Sequence, residues 1–180
     1  GTRPAVPNVS SSADMKKTAA LLLSTLLACT MQAKVILPSF FSDNMVLQQK
    51  QDVAVWGRTD RWRTVTIRPS WIRRSYKAVP DADGKWSTRI PTPAAGGPWT
   101  ITFSDGDKTS ISNVLTGEVW FCSGQSNMEM PVRGFHGQPV EGSADMILSA
   151  RPSVPIRMCT IGKKYSLTPL DSCTGSWQEH

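Results

Sequence analysis

Between Lys34 and Leu115 no segment has the length and 3.6-residue periodicity of a helix, while apolar residues recur in short runs cut by turn-forming residues. That spacing predicts a β architecture. The runs Val53–Trp56, Val65–Ile67, Trp86–Ile90, Trp99–Phe103 and Ile111–Leu115 read as strands. Asp81-Ala82-Asp83-Gly84, Ala95-Gly96-Gly97-Pro98 and Asp105-Gly106-Asp107 read as hairpin turns, because Gly and Asp supply the positive φ angles that tight β connections need. Residues 34–116 are therefore expected to form an antiparallel, jelly-roll-like β-sandwich. Asp81-x-Asp83-Gly84 matches the opening of a calcium loop, but it lacks the later glutamate and meets Trp86 at once, so it is read as a turn. Trp56, Trp86 and Trp99 fall on strands and are assigned to the core. Trp62 and Trp71 lie among polar residues and are the tryptophans placed to meet a ligand such as a sugar ring.

The texture changes at Gly117. An apolar strand, Glu118–Cys122, is followed by a small polar turn, a polar loop Arg133–Pro139, a helix Gly142–Ala150 and a second apolar strand Ile156–Ile161. Such β–α–β alternation predicts a parallel sheet covered by helices, with functional groups at the carboxyl ends of its strands. An α/β domain ordinarily takes about 100 residues or more, whereas 117–180 spans 64. The whole is thus read as α+β and multidomain: a leader over 1–33, a sandwich over 34–116, and the first part of a three-layer α/β/α domain over 117–180. Cys122, inside the apolar strand, is expected to be a buried and inert thiol.

The turn after that strand reads Gly124-Gln125-Ser126-Asn127-Met128-Glu129. A serine displayed just beyond a buried strand is how hydrolases present a nucleophile, although Gly-x-Ser-x-Gly is absent, since Met128 stands where its second glycine would be. Ser126 also reads as a helix N-cap, with Glu129 completing a capping box. The two readings are compatible, because a nucleophile at a helix start gains from the helix dipole.

Five ordered blocks carry a wider likeness: Leu37-Pro38-Ser39 with Phe41-Ser42-Asp43-Asn44-Met45-Val46-Leu47-Gln48-Gln49; Val53-Ala54-Val55-Trp56-Gly57; Asp81-Ala82-Asp83-Gly84-Lys85-Trp86; Ala95-Gly96-Gly97-Pro98-Trp99; and Gly117-Glu118-Val119-Trp120 leading to the serine turn. Together they resemble the SGNH-type carbohydrate esterases, most closely the sialate O-acetylesterase family. The resemblance implies that the second domain is the start of an SGNH hydrolase domain. It implies that Ser126 attacks the acetyl carbonyl of an O-acetylated sugar, that the Ser126 backbone N–H helps hold the oxyanion, and that Gly124, Gln125 and Asn127 shape or support the turn. It also implies a histidine base with an aspartate three residues before it. The chain's two histidines, His136 and His180, are preceded at that spacing by Arg133 and Trp177. These 180 residues are therefore expected to lack esterase activity by themselves. The rival reading is a carbohydrate-binding sandwich module of an exported protein, acting through Trp62 or Trp71.

Residues 1–33 do not read as fold material. Met15-Lys16-Lys17, the apolar run Ala19–Ala28 and small or polar residues up to Ala33 have the tripartite form of a secretory signal, so export to the periplasm or outside is expected. The apolar run is shorter than the roughly 20 residues that span a bilayer, so no membrane span is expected. Two processing sites stand open: cleavage after Ala33, or lipidation at Cys29 after Leu26-Leu27-Ala28, which would anchor the protein to a surface. The net charge of +6 falls to +4 without the leader, leaving 17 basic and 13 acidic residues. The arginines at 58, 61, 63, 68, 73 and 74 alternate with strand residues, which places them on a solvated sheet face rather than in a nucleic-acid site. Cys159 and Cys173 flank a polar segment, so a disulfide between neighbouring strands in an oxidising compartment stays open, with Cys122 left free. No CxxC or CxxH pair is present, and neither a metal nor a cofactor is expected.

Overall fold

The structure, a computed structural model, describes Gly1 and residues 34–60, 62–151 and 156–179. The segment read as a secretory signal, Cys29, Arg61 and His180 lie outside the described residues. The described residues form nine strands: β1 (Val46–Gln48), β2 (Asp52–Arg58), β3 (Val65–Pro69), β4 (Tyr76–Ala78), β5 (Lys85–Pro91), β6 (Gly96–Ser104), β7 (Lys108–Gly117), β8 (Arg157–Cys159) and β9 (Trp177–Glu179). A 3₁₀ turn covers Ser126–Glu129 and one short helix, α1, covers Ser143–Ser149.

Each predicted strand of the first region is present, because its inward positions alternate. In β3, Val65, Ile67 and Pro69 are buried while Arg68 points to solvent; in β5, Trp86 and Ile90 are buried between exposed Lys85, Ser87 and Arg89. Five strands form a mixed sheet in the order β1-β7-β6-β3-β4, and β2 pairs with β5 in a separate antiparallel sheet. Val55, Trp86 and Ile90 from β2 and β5 meet Val65, Ile67, Ile101, Phe103, Ile111 and Val114 in a single hydrophobic core. Fully burying a side chain of this kind contributes about 1.5–3 kcal/mol.

Two features depart from the antiparallel expectation. β1 is parallel to β7, with Val46, Leu47 and Gln48 opposite Leu115, Thr116 and Gly117. A parallel pairing joins segments distant in the chain and leaves no hairpin signature. The Ala95–Pro98 segment is not a free turn: Gly96 already pairs with Thr116, and the register shifts between Gly96 and Trp99 and again between Trp99 and Ile101. Gly97 adopts φ 137°, and a Cβ there would lie 2.8 Å from the Val114 carbonyl oxygen, so glycine lets β6 approach β7 at this irregularity. Asp81–Gly84 is the expected turn. Asp81 Oδ1 accepts hydrogen bonds from the Asp83 and Lys85 N–H groups, both at 2.9 Å.

The second region differs more. Residues 118–125 form no strand, and the expected parallel β–α–β sheet is not made among the described residues. Val119, Trp120 and Phe121 are 42%, 83% and 89% exposed, and Cys122 is an exposed rather than a buried thiol. The reason is that no neighbouring strand pairs with this segment to bury it. α1 buries none of its residues, and β8 pairs antiparallel with β9 rather than beside a parallel neighbour.

The C-terminal strands nevertheless dock on the β region. The side chain of Arg157, 7% exposed, donates to the Asn44 carbonyl oxygen at 3.1 Å, to the Asn113 carbonyl oxygen, to Asn113 Oδ1 at 3.0 Å and to Glu179 Oε1 at 2.8 Å. Asn44 and Asn113 both have positive φ (68° and 53°), and Asn113 Nδ2 also donates to Asn44 Oδ1 at 2.8 Å. Trp177 Nε1 donates to the Phe40 carbonyl oxygen at 2.8 Å. Among the described residues no helix is long and apolar enough to cross a membrane.

Candidate active site

The route into the serine turn begins at the end of β7. Gln49 N–H donates to the Gly117 carbonyl oxygen at 2.9 Å, continuing the β1–β7 pairing. Beyond it, the Glu118 carboxylate accepts from Gln48 Nε2 at 3.0 Å and from Gln49 Nε2 at 2.7 Å, while Gln48 Oε1 accepts from the Val119 N–H at 2.8 Å. Gln49 Oε1 in turn accepts from the Ala95 N–H at 2.8 Å. The hydrogen bonds from Gln48 and then Gln49, with Lys50 nearby, hold the Glu118 carboxyl below its ordinary range. These glutamines and their role were not singled out from the sequence. The available signal was that Gln48-Gln49 and Gly117-Glu118 belong to two of the recurring blocks.

Gly124, Gln125, Ser126 and Asn127 are brought together on one exposed turn. It is closed by Met128 N–H to the Gln125 carbonyl oxygen at 2.9 Å and Met130 N–H to the Asn127 carbonyl oxygen at 3.2 Å. Gln125, in extended conformation, is the cap residue, and no side chain caps the turn. The capping box anticipated for Ser126 and Glu129 is therefore not made. Ser126 already lies inside the turn, and Glu129 is drawn instead to Lys163 Nζ at 2.5 Å. A Cβ on Gly124 would sit 2.8 Å from Met128 Cγ, so glycine at this position leaves room for the Met128 side chain to fold back over the turn.

Among the described residues, no side chain hydrogen-bonds the Ser126 hydroxyl. His136 sits at the exposed tip of a loop closed by paired hydrogen bonds between Phe135 and Gln138, at 3.1 and 3.0 Å. The arrangement presents the Ser126 hydroxyl to solvent, with no base beside it among the described residues. Among the described residues no group of three or more His, Cys, Asp or Glu side chains could hold a metal ion. Cys159 and Cys173 are free thiols rather than a disulfide; burial, then the neighbouring Cys173, pushes the Cys159 thiol up.

Of the five tryptophans of the β region, only Trp71 departs from expectation. Trp86 is in the core, and Trp56 and Trp99 pack against it. Trp71 is not a free contact residue: its ring meets Trp99 edge-on at 6.1 Å and its N–H donates to the Pro91 carbonyl oxygen at 2.9 Å. Trp62 is 64% exposed.

No family model matches the chain. Over 104 residues it is 32% identical to the sialate O-acetylesterases of Rattus norvegicus and Mus musculus, an alignment covering 52% of this chain and 19% of each relative. The Homo sapiens sialate O-acetylesterase matches at the same identity, with 20% of its length covered. In three dimensions the chain is similar to a carbohydrate acetylesterase from Xanthomonas citri, with a TM-score of 0.66 and 29% identity over 81% of this chain and 32% of that one. This chain is a relative of the sialate O-acetylesterases. It spans about one fifth of the length of the curated sialate O-acetylesterases it matches. Both the sequence likeness and the structural likeness are to proteins named as carbohydrate esterases.

Proposed function

We propose that this chain carries the β domain and the nucleophile-bearing start of the SGNH-type catalytic domain of an exported carbohydrate O-acetylesterase acting on acetyl esters of sialic acid or related glycans. The observation that carries the reading is the placement of Ser126 on an exposed turn, entered through the Gln48–Gln49–Glu118 latch, in a relative of the sialate O-acetylesterases. Ser126 Oγ bonds to the acetyl carbonyl carbon as its proton passes to a base. The tetrahedral oxyanion, held in part by the Ser126 N–H, collapses and breaks the bond to the sugar oxygen, which leaves as a protonated hydroxyl. Water then attacks the acetyl-enzyme, releasing acetate and restoring Ser126. Gly124, Gln125 and Asn127 shape the turn around the oxyanion.

The base is not among these residues, since neither histidine follows an aspartate by three positions. In this reading the histidine and aspartate belong to the four fifths of the relatives' length that the chain does not span. In the same reading Val119, Trp120 and Phe121, which form no strand among the described residues, become an interior strand of the parallel sheet when strands from that further length pair with them, and α1 becomes one of its covering helices. Export follows from the Met15–Ala33 pattern, with lipidation at Cys29 as the alternative to cleavage.

The test uses the intact esterase. Ser126→Ala is expected to lower acetate release from an O-acetylated sugar by roughly 10⁴-fold or more, the scale on which removal of a catalytic serine acts, and a fluorophosphonate probe is expected to label Ser126. Retention of more than about 1% of the activity would sink the nucleophile assignment. The 180-residue chain alone is expected to show no Ser126-dependent turnover. The rival reading, a sugar-binding β module, keeps one supporting observation in the exposed Trp62.

A further inference from the structure

The β2–β5 sheet, residues 36–38 and the chain around Asp171 border an open cavity of about 500 Å³ whose lining does not include the serine turn. This lies within the ~300–1,000 Å³ typical of small-molecule sites. Its lining combines an indole wall from Trp56 and Trp86 with a polar rim of Arg58, Lys85, Ser87 and Asp171. A second lobe of about 220 Å³, near Ile161 and Lys164, shares Trp56, Asp171 and Ser172 with the first. The ridge between the lobes is held by Trp56 Nε1 donating to the Asp171 carbonyl oxygen at 3.3 Å.

Two details point to a polyhydroxylated ligand. Among the described residues the Arg58 guanidinium donates only to the Asp83 carbonyl oxygen, at 3.2 Å, and forms no ion pair, so it retains donors. Lys85 and Asp171 form a 2.7 Å ion pair with side chains 46% and 64% exposed. An exposed pair of this kind contributes little stability and can exchange its partner for sugar hydroxyls. Pyranose rings have both apolar C–H faces and hydroxyl edges, which matches an indole wall beside a charged, hydrogen-bonding rim.

We propose that these two lobes form a subsite for consecutive pyranose units of a glycan chain, separate from Ser126. The ligand class rests on the carbohydrate esterase reading above; the location rests on the cavities themselves. The full chain is titrated calorimetrically with cellohexaose, xylohexaose, chitohexaose and 3′-sialyllactose. At least one is expected to bind, and the affinity to fall by about tenfold or more in Arg58→Ala, through loss of a charged donor. Ser87→Trp, which fills the wide lobe from an exposed strand position, is expected to weaken it at least as much. Ser126→Ala is expected to leave binding unchanged. Near-ultraviolet circular dichroism verifies that each variant folds, and Arg58→Ala, at an exposed position, decides the question if Ser87→Trp does not. Failure of all four sugars to bind below about 10 mM, or binding unaltered by Arg58→Ala, overturns the subsite. Binding that behaves as expected while the intact esterase shows no Ser126-dependent acetate release overturns the catalytic reading alone. Ser126-dependent release without binding overturns the subsite alone.

Discussion

Arg157 is the residue whose loss should detach the C-terminal strands while sparing the β core. Arg157→Met keeps much of the apolar stem and removes the guanidinium. Four hydrogen bonds go with it, to Asn44 O, Asn113 O, Asn113 Oδ1 and Glu179 Oε1. Breaking a buried charged network by removing one partner costs about 3–5 kcal/mol when the remaining charge stays buried. Here the remaining charge is Glu179, whose side chain is 54% exposed and regains water, so the lower end of that range applies. A local cost of about 3 kcal/mol corresponds to amide exchange in β8 and β9 about a hundredfold faster, read by hydrogen–deuterium exchange mass spectrometry on peptides covering 157–159 and 177–179. β3 and β6, whose core positions do not touch Arg157, should be unchanged. Glu179→Gln keeps an acceptor oxygen and alters only the exposed side of the pair, so its effect should stay below about 1 kcal/mol. Less than fivefold acceleration in Arg157→Met, or equal effects of the two substitutions, would refute this account. The docked strands lead into the chain carrying Lys163, which pairs with Glu129 of the serine turn, and Asp171, which walls the cavity. Oligosaccharide affinity should therefore fall in Arg157→Met as well.

Two further outcomes follow from the latch and the core. Glu118 accepts the Gln48 and Gln49 hydrogen bonds more strongly as a carboxylate than as an acid, so its folded pKa lies below the ordinary 4.5. A depressed carboxyl contributes stability that is present above the unfolded value and lost as pH falls through the folded one. Carbon-detected NMR should place the Glu118 titration below pH 4.5 and return it toward that value in a Gln48→Ala, Gln49→Ala double variant; an unchanged midpoint would sink the assignment. Ile67 is 0% exposed, so Ile67→Ala should cost about 2–5 kcal/mol in urea unfolding, and a loss below about 1 kcal/mol would mean that β3 does not carry the core.

The β region was legible because burial there obeys a local rule. Val65 and Ile67, or Trp86 and Ile90, alternate with solvent-facing neighbours, and that period is printed in the sequence itself. What escaped depends on partners far along the chain. β1 is three residues long and follows Asn44 at positive φ, and among the described residues its strand partner is β7, parallel and about seventy residues on. Gly96-Gly97-Pro98 carries turn chemistry, yet the sheet uses it for an irregularity within β6. Trp71 stands beside polar residues in sequence and beside Trp99 in space. The serine turn itself was readable from its small polar residues. The burial expected of Val119–Cys122 was not, because burial belongs to the strands that flank a segment rather than to the segment's own composition.

The same reasoning explains why two of the recurring blocks, seventy positions apart, belong to one piece of structure. Gln48 and Gln49 are amides at the end of β1, and neither is a chemical participant in ester hydrolysis by its nature. Their carboxamides instead bind the Glu118 carboxylate and the Val119 N–H, at the point where β7 has stopped pairing and the chain turns toward Ser126. An amide suits this task because it can donate to the carboxylate through nitrogen and accept from the backbone through oxygen at once, as Gln48 does. Glutamate at 48 would repel Glu118, and an apolar residue would leave the Val119 N–H without its acceptor. The direction in which the chain leaves the β domain for the serine turn is thus set by side chains of the opening block, which is a physical reason for Gln48-Gln49 and Glu118 to occur together.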